Sequence, residues 1–347
     1  MIRKNNVVAL LKLRISKGAY RHSGLPAERE LADEIGVARM TARKALAQLE
    51  ADKFAVRLDT GRLVLADNVK QKKQIAMLIP SLASYGIKAW VNDAKVGAED
   101  LDVYVRPIFY DSYDDIILTD TLQRADGIFF VPRAEEMPPW VAKSLIRHPK
   151  VFVLENDMSG DGIPSLTFFN PATIHLLLKH LHQLGHKRVD LVNNQGRNQA
   201  IEMRITQWQE WKELFDVKGE CLDLFALAGN HYDKQKQALH SYLSPSKDRP
   251  SSMVCTSLES ALLLLRVSKD LGLTPGKDIS ICLMDGESHA ATYAPSITAL
   301  ERPDSSRYLK RCMEWMANEK AAWKGPLRMD ILGVELFVGE TTGPAPA

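Results

Sequence analysis

The sequence predicts an α/β protein in which an N-terminal winged helix-turn-helix precedes a two-lobed parallel α/β domain. Three helical patterns and a hairpin open the chain, and short apolar strands alternate with helices from Gln74 onwards. The 347 residues allow about two or three units of ~100–200 residues each. We therefore expect a winged helix over 1–66, a linker over 67–73, and a parallel α/β domain over 74–347.

The first 66 residues contain the periodicities of a helix-turn-helix. Apolar residues recur at helical spacing over 2–17, over 27–35 after Pro26, and from about 39 to 52. Gly36 separates the second pattern from the third, as expected for a tight turn between two helices. The apolar segments 54–58 and 62–65 surround Asp59-Thr60-Gly61 and predict a hairpin, which completes a winged helix.

The rest of the chain alternates between strand and helix patterns. The main helical patterns fall at 171–184, 199–215, 257–271 and 304–320. The strand candidates are 74–80, 103–109, 127–131, 150–154, 188–193, 222–226, 252–256 and 279–284. Such alternation is typical of parallel sheets, and eight strands are enough for two sheets.

Charge is distributed unevenly along the chain. Residues 1–73 contain 16 Lys and Arg against 8 Asp and Glu, whereas the remainder contains 29 against 35. A basic head on an acidic body indicates that the head binds a polyanion such as nucleic acid. The alternative is a basic face that is only solvated.

Several classes of protein are disfavoured by the sequence. No run approaches the ~18 apolar residues of a membrane span, and the N-terminus lacks the apolar segment of a secretory signal. The four Cys are widely spaced without a CxxC motif, which indicates reduced thiols in a cytoplasmic protein. His182 and His186 lack the intervening Glu of an HExxH zinc motif, and no nucleophile elbow, P-loop or GxGxxG occurs. We expect no catalytic residues, no metal and no cofactor.

The second helix of a helix-turn-helix lies in the major groove, where the residues near its N-terminus contact base edges. Arginine can bond guanine bidentately, and lysine neutralises phosphate. The helix before it can reach the DNA backbone, and residues beside the wing turn could contact phosphate or enter the minor groove. The predicted DNA-binding residues are Arg29, Arg39, Met40, Thr41, Arg43, Lys44, Arg57, Gly61 and Arg62.

The segments 25–32 (LPAERELA) and 36–46 (GVARMTARKAL) resemble the GntR-type winged helix. The resemblance implies DNA contacts from Arg29, Arg39, Thr41 and Arg43. Two features depart from that family. Ala38 stands where a capping Ser or Thr is usual, which typically costs ~1 kcal/mol of helix stability. The wing has one Gly and no aromatic residue in its second strand, so DNA contacts from the wing stay open.

Three later segments, 185–192, 278–286 and 295–300, resemble the LacI/GalR effector domain. This resemblance implies two lobes built like a type I periplasmic binding protein, a ligand in the cleft between them, and a homodimer that reads paired half-sites. It implies effector contacts from Arg204, four residues before Trp208, and from Asp285 at the tip of a strand. An Arg donates a planar fork of hydrogen bonds and an Asp accepts them, as vicinal hydroxyls of a sugar require. The alternative is an Arg–Asp ion pair that closes an empty cleft.

Other candidate effector residues match the family in part. Asn170 is retained from a family Asp-Asn pair, and Phe169 replaces the carboxylate, either to stack on a sugar or to fill the core. Ser257 stands where Asn is frequent. In the first lobe Ser81 follows a strand, and Tyr85 either stacks on a ring or packs.

These features predict a cytoplasmic transcriptional regulator, with repression as the default sign. Double-stranded DNA with a pseudo-palindromic operator and a sugar-like metabolite are its expected partners, with no membrane. The alternatives are a non-sugar effector and an α/β enzyme with a DNA-binding head. The linker does not resemble a hinge helix, so we expect coupling to pass through packing of the winged helix on the body.

Overall fold

The computed structural model describes residues 4–346 except 22, 82–84, 134, 168–169, 198, 230, 245–248 and 286–288. The chain opens with helices α1 (Lys4–Ser16), α2 (Glu28–Ile35) and α3 (Arg39–Ala51). Strands β1 (Ala55–Arg57) and β2 (Leu63–Leu65) pair antiparallel as the wing. The predicted winged helix is therefore confirmed.

The winged helix has its own apolar core. Leu11 and Ile15 of α1, Leu31 of α2 and Leu49 of α3 are completely buried against one another. Helix α2 ends at Gly36, whose φ of 71° is readily adopted by a residue without a Cβ. Helix α3 begins after Ala38, and no side chain caps it.

The first lobe begins after a non-helical linker segment. In chain order it contains β3 (Lys73–Pro80), α4 (Tyr85–Gly97), β4 (Val103–Tyr110), α5 (Ile116–Arg124), β5 (Gly127–Phe130), α6 (Pro139–Arg147), β6 (Val151–Leu154) and β7 (Ser165–Thr167). Strands β5 and β6 are buried along their whole length, because helices cover both faces of the parallel sheet.

The second lobe follows a first crossover. It contains α7 (Ile174–Gln183), β8 (Asp190–Asn193), α8 (Gln199–Phe215), β9 (Cys221–Asp223), α9 (Leu224–Ala228), α10 (Tyr232–Leu243), β10 (Ser252–Cys255), α11 (Leu258–Asp270), β11 (Ser280–Leu283) and β12 (Thr298–Glu301). The chain then returns to the first lobe as α12 (Ser306–Ala317) and β13 (Arg328–Asp330), and ends in the second lobe with β14 (Glu335–Phe337).

Each lobe is built on one six-stranded sheet. The strand order is β13-β7-β6-β5-β3-β4 in the first lobe and β14-β12-β11-β10-β8-β9 in the second. All neighbours are parallel except β12 and β14. Within the described residues the chain passes between the lobes after β7, at about 302–305 after β12, and at about 331–334 after β13. Asp330 ties two of these crossovers, because it accepts hydrogen bonds from Thr167 at 2.5 Å and from Asn170 at 3.2 Å.

Two predictions of detail need correction. The strand predicted at 222–226 ends at Asp223, because the carboxylate of Asp223 accepts a hydrogen bond from the Ala226 amide at 3.0 Å and starts helix α9. The main helical patterns of the sequence do not include helices α4 and α5, which the structure places before and after β4. Among the described residues, every helix is too short or too polar to cross a bilayer.

Candidate functional sites

Helix α3 has one buried apolar face and one exposed basic face. Ala42, Ala45, Leu46 and Leu49 pack into the head. Arg39 and Arg43 expose 73% and 66% of their side chains. The other predicted residues of this helix are Met40 and Lys44, which are exposed, and Thr41, which is half-buried. The basic face is therefore accessible to a groove of DNA.

Glu28, the first residue of α2, lies between the two arginines. Its carboxylate oxygens are 3.5 Å from Arg39 Nε and 3.6 Å from Arg43 Nε. One carboxylate thus orients two guanidinium groups of the next helix. Sequence reasoning missed Glu28, because the contact joins two different helices and follows no i,i+4 spacing.

Arg57 has an intramolecular role in the wing. Its guanidinium donates to both carboxylate oxygens of Glu50, at 3.1 and 2.8 Å, and to the Gly61 carbonyl at 2.9 Å. The hydrogen bonds from Arg57 to Glu50 raise the arginine's pKa. Arg57 therefore braces the hairpin against α3, while Arg29, Gly61 and Arg62 are exposed.

The floor of the inter-lobe cleft is a cluster of charged groups around Arg302. Arg302 lies just after β12, and its Nη2 is 3.9 Å from the carboxylate of Asp93 on α4. Its guanidinium lies 5.2 Å from the ring centroid of the buried Trp90. The Trp90 indole donates to Glu155 at 2.8 Å. Glu155 follows β6 with a φ of 68°, a conformation that is costly for a residue with a Cβ and that clusters at binding sites.

Burial dominates the electrostatics of this cluster. Only 6% of the Arg302 side chain is exposed, and burial lowers the pKa of the guanidinium to about 10, against the opposing influence of Glu155, Asp93 and Asp285. Asp285, which follows β11 as predicted, therefore lies close enough to Arg302 to act on its charge. Arg302 is not among the effector residues predicted from the sequence, whereas Asp285 is.

The mouth of the cleft is a cavity of about 280 Å³ lined from both lobes. Arg133 and Asn156 line it from the first lobe, and Arg197 and Gln199 from the second. All four follow the carboxyl ends of parallel strands, where open α/β sheets bind ligands. Tyr113 also lines the cavity; its hydroxyl accepts a hydrogen bond from the Arg133 amide at 3.0 Å, and burial raises its pKa.

Carboxylates accompany both arginines of the mouth. Arg133 is paired with Glu135. Arg197 is 2.6 Å from Asp223 and 3.3 Å from Glu202. The lining of the mouth contains two arginines and two carboxylates, Glu135 and Glu136, whereas at the floor three carboxylates act on the single guanidinium group of Arg302. The cleft therefore offers many acceptors and fewer donors, which suits a ligand rich in hydroxyl groups and disfavours an anion.

The predicted second-lobe residues have different surroundings. Arg204 is half-buried in α8. Ser257 is buried, caps α11 through the Ser260 amide at 3.1 Å, and donates to Asn194 at 2.6 Å. Asn170 accepts from the Ala172 amide at 3.0 Å and donates to Asp330. The hydrogen bonds of Ser257 thus stabilise the start of α11, and those of Asn170 stabilise a crossover between the lobes.

The predicted first-lobe residues are less well placed. Ser81 is exposed at the carboxyl end of β3. Phe169 and the side chain of Tyr85 lie outside the part of the chain that the structure describes. Their contacts with an effector therefore stay predictions.

The four Cys are free thiols. Burial raises the pKa of the Cys255 thiol to about 12, so this thiol is protonated near neutrality. No group of three His, Cys, Asp or Glu within the described part of the chain could hold a metal ion.

Comparison with known proteins accounts for both halves of this arrangement. Residues 3–63 match the family model described as "Bacterial regulatory proteins, gntR family". Residues 178–342 match the model of a periplasmic binding protein-like domain. The chain joins a GntR-type DNA-binding domain to a periplasmic-binding-protein-like domain. The second helix of a helix-turn-helix is its recognition helix, and α3 occupies that position in this domain.

Two relatives align with most of the chain at low identity. The chain is 23% identical to an arabinose metabolism transcriptional repressor from Halalkalibacterium halodurans, over 92% of this chain and 91% of the relative. It is also 23% identical to a protein of the same name from Geobacillus stearothermophilus, over 80% of each chain.

Solved structures show the same fold for the two-lobed domain. A LacI family transcriptional regulator from Bifidobacterium animalis has a TM-score of 0.66 at 20% identity, covering 79% of this chain and 98% of that one. The lac repressor dimer bound to operator has a TM-score of 0.61 at 20% identity, covering 79% and 95%. A LacI family regulator from Weissella paramesenteroides with bound glucose has a TM-score of 0.64 at 14% identity, covering 78% and 98%.

Proposed function

We propose that this chain is a transcriptional repressor whose affinity for operator DNA is controlled by a sugar bound between its two lobes. The observation that carries the proposal is that one chain contains both an exposed basic recognition helix and a cleft lined by polar groups from both lobes. A ligand that contacts both lobes binds their closed arrangement more tightly than their open one, and so shifts the population between them.

Exposure and charge support the DNA-binding half. Arg39 and Arg43 project from α3 and are oriented by Glu28, while Arg29 is exposed on the preceding helix. Because two heads of a symmetric dimer read two half-sites, we propose a homodimer on a pseudo-palindromic operator. The effector contacts that we propose are Arg204, Asp285, Arg302 and Arg133.

The charge of the cleft supports a neutral sugar as the effector. Its carboxylates can accept hydrogen bonds from ring hydroxyls, whereas a phosphate or an acid group would add negative charge to an already acidic site. The two relatives are named for arabinose metabolism, so arabinose and other pentoses are the first ligands to test. This function requires no chemical step, and we propose that the chain is not an enzyme.

A ligand screen followed by DNA binding tests the proposal. The full chain is melted with arabinose, other neutral sugars, sugar acids and phosphosugars. A ligand at 100 times its dissociation constant adds ~2.7 kcal/mol to the free energy of unfolding. The DNA ligand is selected from randomised duplexes. We expect a neutral sugar to stabilise the protein and to weaken its binding to the selected DNA.

An Asp285→Asn variant tests whether the sugar binds in the cleft. It keeps the shape of the side chain and removes the charge, so the response to sugar should be lost while DNA binding remains. Stabilisation by a phosphosugar alone, or no selection of specific DNA, would refute the proposal.

A further inference from the structure

The winged helix is docked on the first lobe where α1 ends. The Lys72 amide donates to the Ser16 carbonyl at 3.0 Å, and the Gln74 side chain donates to the Lys17 carbonyl at 3.2 Å. Gly18 adopts a φ of 75°, and a Cβ at this position would collide with the Lys72 carbonyl. The start of β3 and the end of α1 therefore approach each other closely.

Arg21 provides the charged contact of this interface. Its Nε donates to Asp126 at 3.2 Å, and its Nη1 reaches the Gln71 carbonyl at 3.5 Å. The other carboxylate oxygen of Asp126 accepts a hydrogen bond from the Gln74 amide at 2.8 Å. Asp126 is 12% exposed and Arg21 28% exposed, so this pair is shielded from solvent better than a surface ion pair.

A second carboxylate comes from the segment after α12. Glu319 is 2.6 Å from Lys73 Nζ and 3.9 Å from Arg21 Nη2. The hydrogen bond from Lys73 lowers the pKa of Glu319. Arg21 therefore faces two carboxylates of the first lobe, one just before β5 and one just after α12.

The opposite end of α12 lies at the cleft. Ser305, at its start, donates to Asp93 at 2.5 Å, and Asp93 is 3.9 Å from Arg302. A 12-residue helix is a rod of ~18 Å. A ligand that displaces Arg302 or the 302–305 crossover therefore displaces a rigid element whose far end carries Glu319.

The interface between head and lobe is not tightly packed. A cavity of about 140 Å³ lies between Gly18, Ala19 and Ser23 of the head and residues of β3, β4 and α5. The contacts of Arg21 with Asp126 and Glu319 therefore act together with the hydrogen bonds to Ser16 and Lys17 in fixing the orientation of the head. The Glu319 side chain is 74% exposed, and an exposed ion pair of this kind can be exchanged at low cost.

We propose that Asp126 and Glu319 form a two-carboxylate socket that positions the winged helix through Arg21 and couples its orientation to the effector cleft through α12. The coupling half of this inference rests on the proposed function, whereas the docking half does not. Asp126 and Glu319 act on DNA binding through the position of the head, because their contacts are with Arg21 and with the start of β3.

Hydrogen–deuterium exchange of the full chain tests the docking. The variant is Asp126→Asn/Glu319→Gln, which removes both charges and keeps both shapes. We expect peptides over 16–21 and 71–75 to exchange about tenfold faster than in the wild-type chain, while peptides of β5 and β6 stay unchanged. The control is Asp100→Asn, because Asp100 is an exposed carboxylate that pairs with Lys310 of α12 at 3.2 Å and is not part of the socket. Unchanged exchange in the double variant overturns the socket.

DNA binding tests the coupling. The selected duplex is titrated with and without arabinose, or with whichever neutral sugar stabilises the wild-type chain. We expect the sugar to change wild-type affinity about tenfold or more, and the affinity of the double variant by less than about threefold, with sugar affinity preserved. A full response in the double variant overturns the coupling. No response in the wild-type chain refutes the proposed function instead, and the exchange experiment still decides the socket.

Discussion

Glu28 should control how well the recognition helix distinguishes specific from nonspecific DNA. Substituting Glu28→Gln keeps the side chain's size and removes its charge. The carboxylate now lies 3.5 and 3.6 Å from the guanidinium groups of Arg39 and Arg43. Without it, two long side chains lose the charge that restricts their orientation, and each must be ordered when it contacts a base.

The expected loss of affinity for specific DNA can be estimated from the attraction between these exposed charges. Two unit charges about 3.5–4 Å apart in bulk water attract each other by ~1 kcal/mol, and salt reduces this. Two such pairs give about 1–2 kcal/mol, or a loss of roughly 5- to 30-fold in affinity for the specific site. Nonspecific affinity should rise, because one negative charge near the phosphates has been removed.

The assay is a pair of fluorescence-anisotropy titrations, one on the selected duplex and one on a scrambled duplex, each at several salt concentrations. Asp33→Asn is the control, since Asp33 is an exposed carboxylate of the same helix; it should raise both affinities slightly. If Glu28→Gln also raised both affinities equally, Glu28 would be only a repulsive charge, and the positioning argument would be wrong.

Three further outcomes follow from the burial of single groups. Arg302→Gln should abolish stabilisation by the sugar in a thermal-shift assay and leave the DNA affinity without sugar within about threefold, since Arg302 lies beside Asp93 and Trp90 of the first lobe; retained sugar binding would exclude it from the site. Leu49→Ala should cost about 2–5 kcal/mol in the head alone, so DNA binding fails at 37 °C while calorimetry still detects the sugar; loss of both would mean that the two units unfold together. Burial lowers the pKa of His186, so the unfolded chain takes up a proton below about pH 6.5 that the folded chain does not. The free energy of unfolding should therefore fall as pH drops from 7 towards 5, less steeply in His186→Gln, and equal slopes would contradict this.

Sequence periodicity predicted those elements whose own residues carry a full amphipathic pattern. Helix α8 was predicted at 199–215 and occupies Gln199–Phe215, because Ile201, Ile205 and Trp208 mark one buried face. Helix α4 was missed although it buries Trp90 and Ala94, because small and polar residues interrupt its apolar pattern. The short helix α9 depends on the capping carboxylate of Asp223, which strand patterning does not detect.

The residues of the candidate sites also fall into two groups, those that the sequence predicts and those that it does not. Positions fixed by local motifs, such as the exposed arginines of α3 and Asp285 at the end of a strand, could be predicted from the sequence. Glu28 and Arg302 could not, since each acquires its role from a contact between separate elements. Arg302 meets Trp90 only because the chain crosses back to the first lobe after β12.

The placement of Asn170 narrows what can hold a ligand in the cleft. Its amide donates to Asp330 and accepts from Ala172, and both contacts lie at crossovers between the lobes. Because the Asn170 side chain already bonds these crossovers, it has fewer donors and acceptors available for an effector. Specificity for the effector should therefore depend on residues that face the cleft from β-strand ends. Those residues include more carboxylates than guanidinium groups. A sugar hydroxyl donates to such a carboxylate without changing the net charge, whereas an anionic ligand adds repulsion at low local dielectric. The charge balance that supports our proposal of a neutral effector therefore disfavours its phosphorylated form.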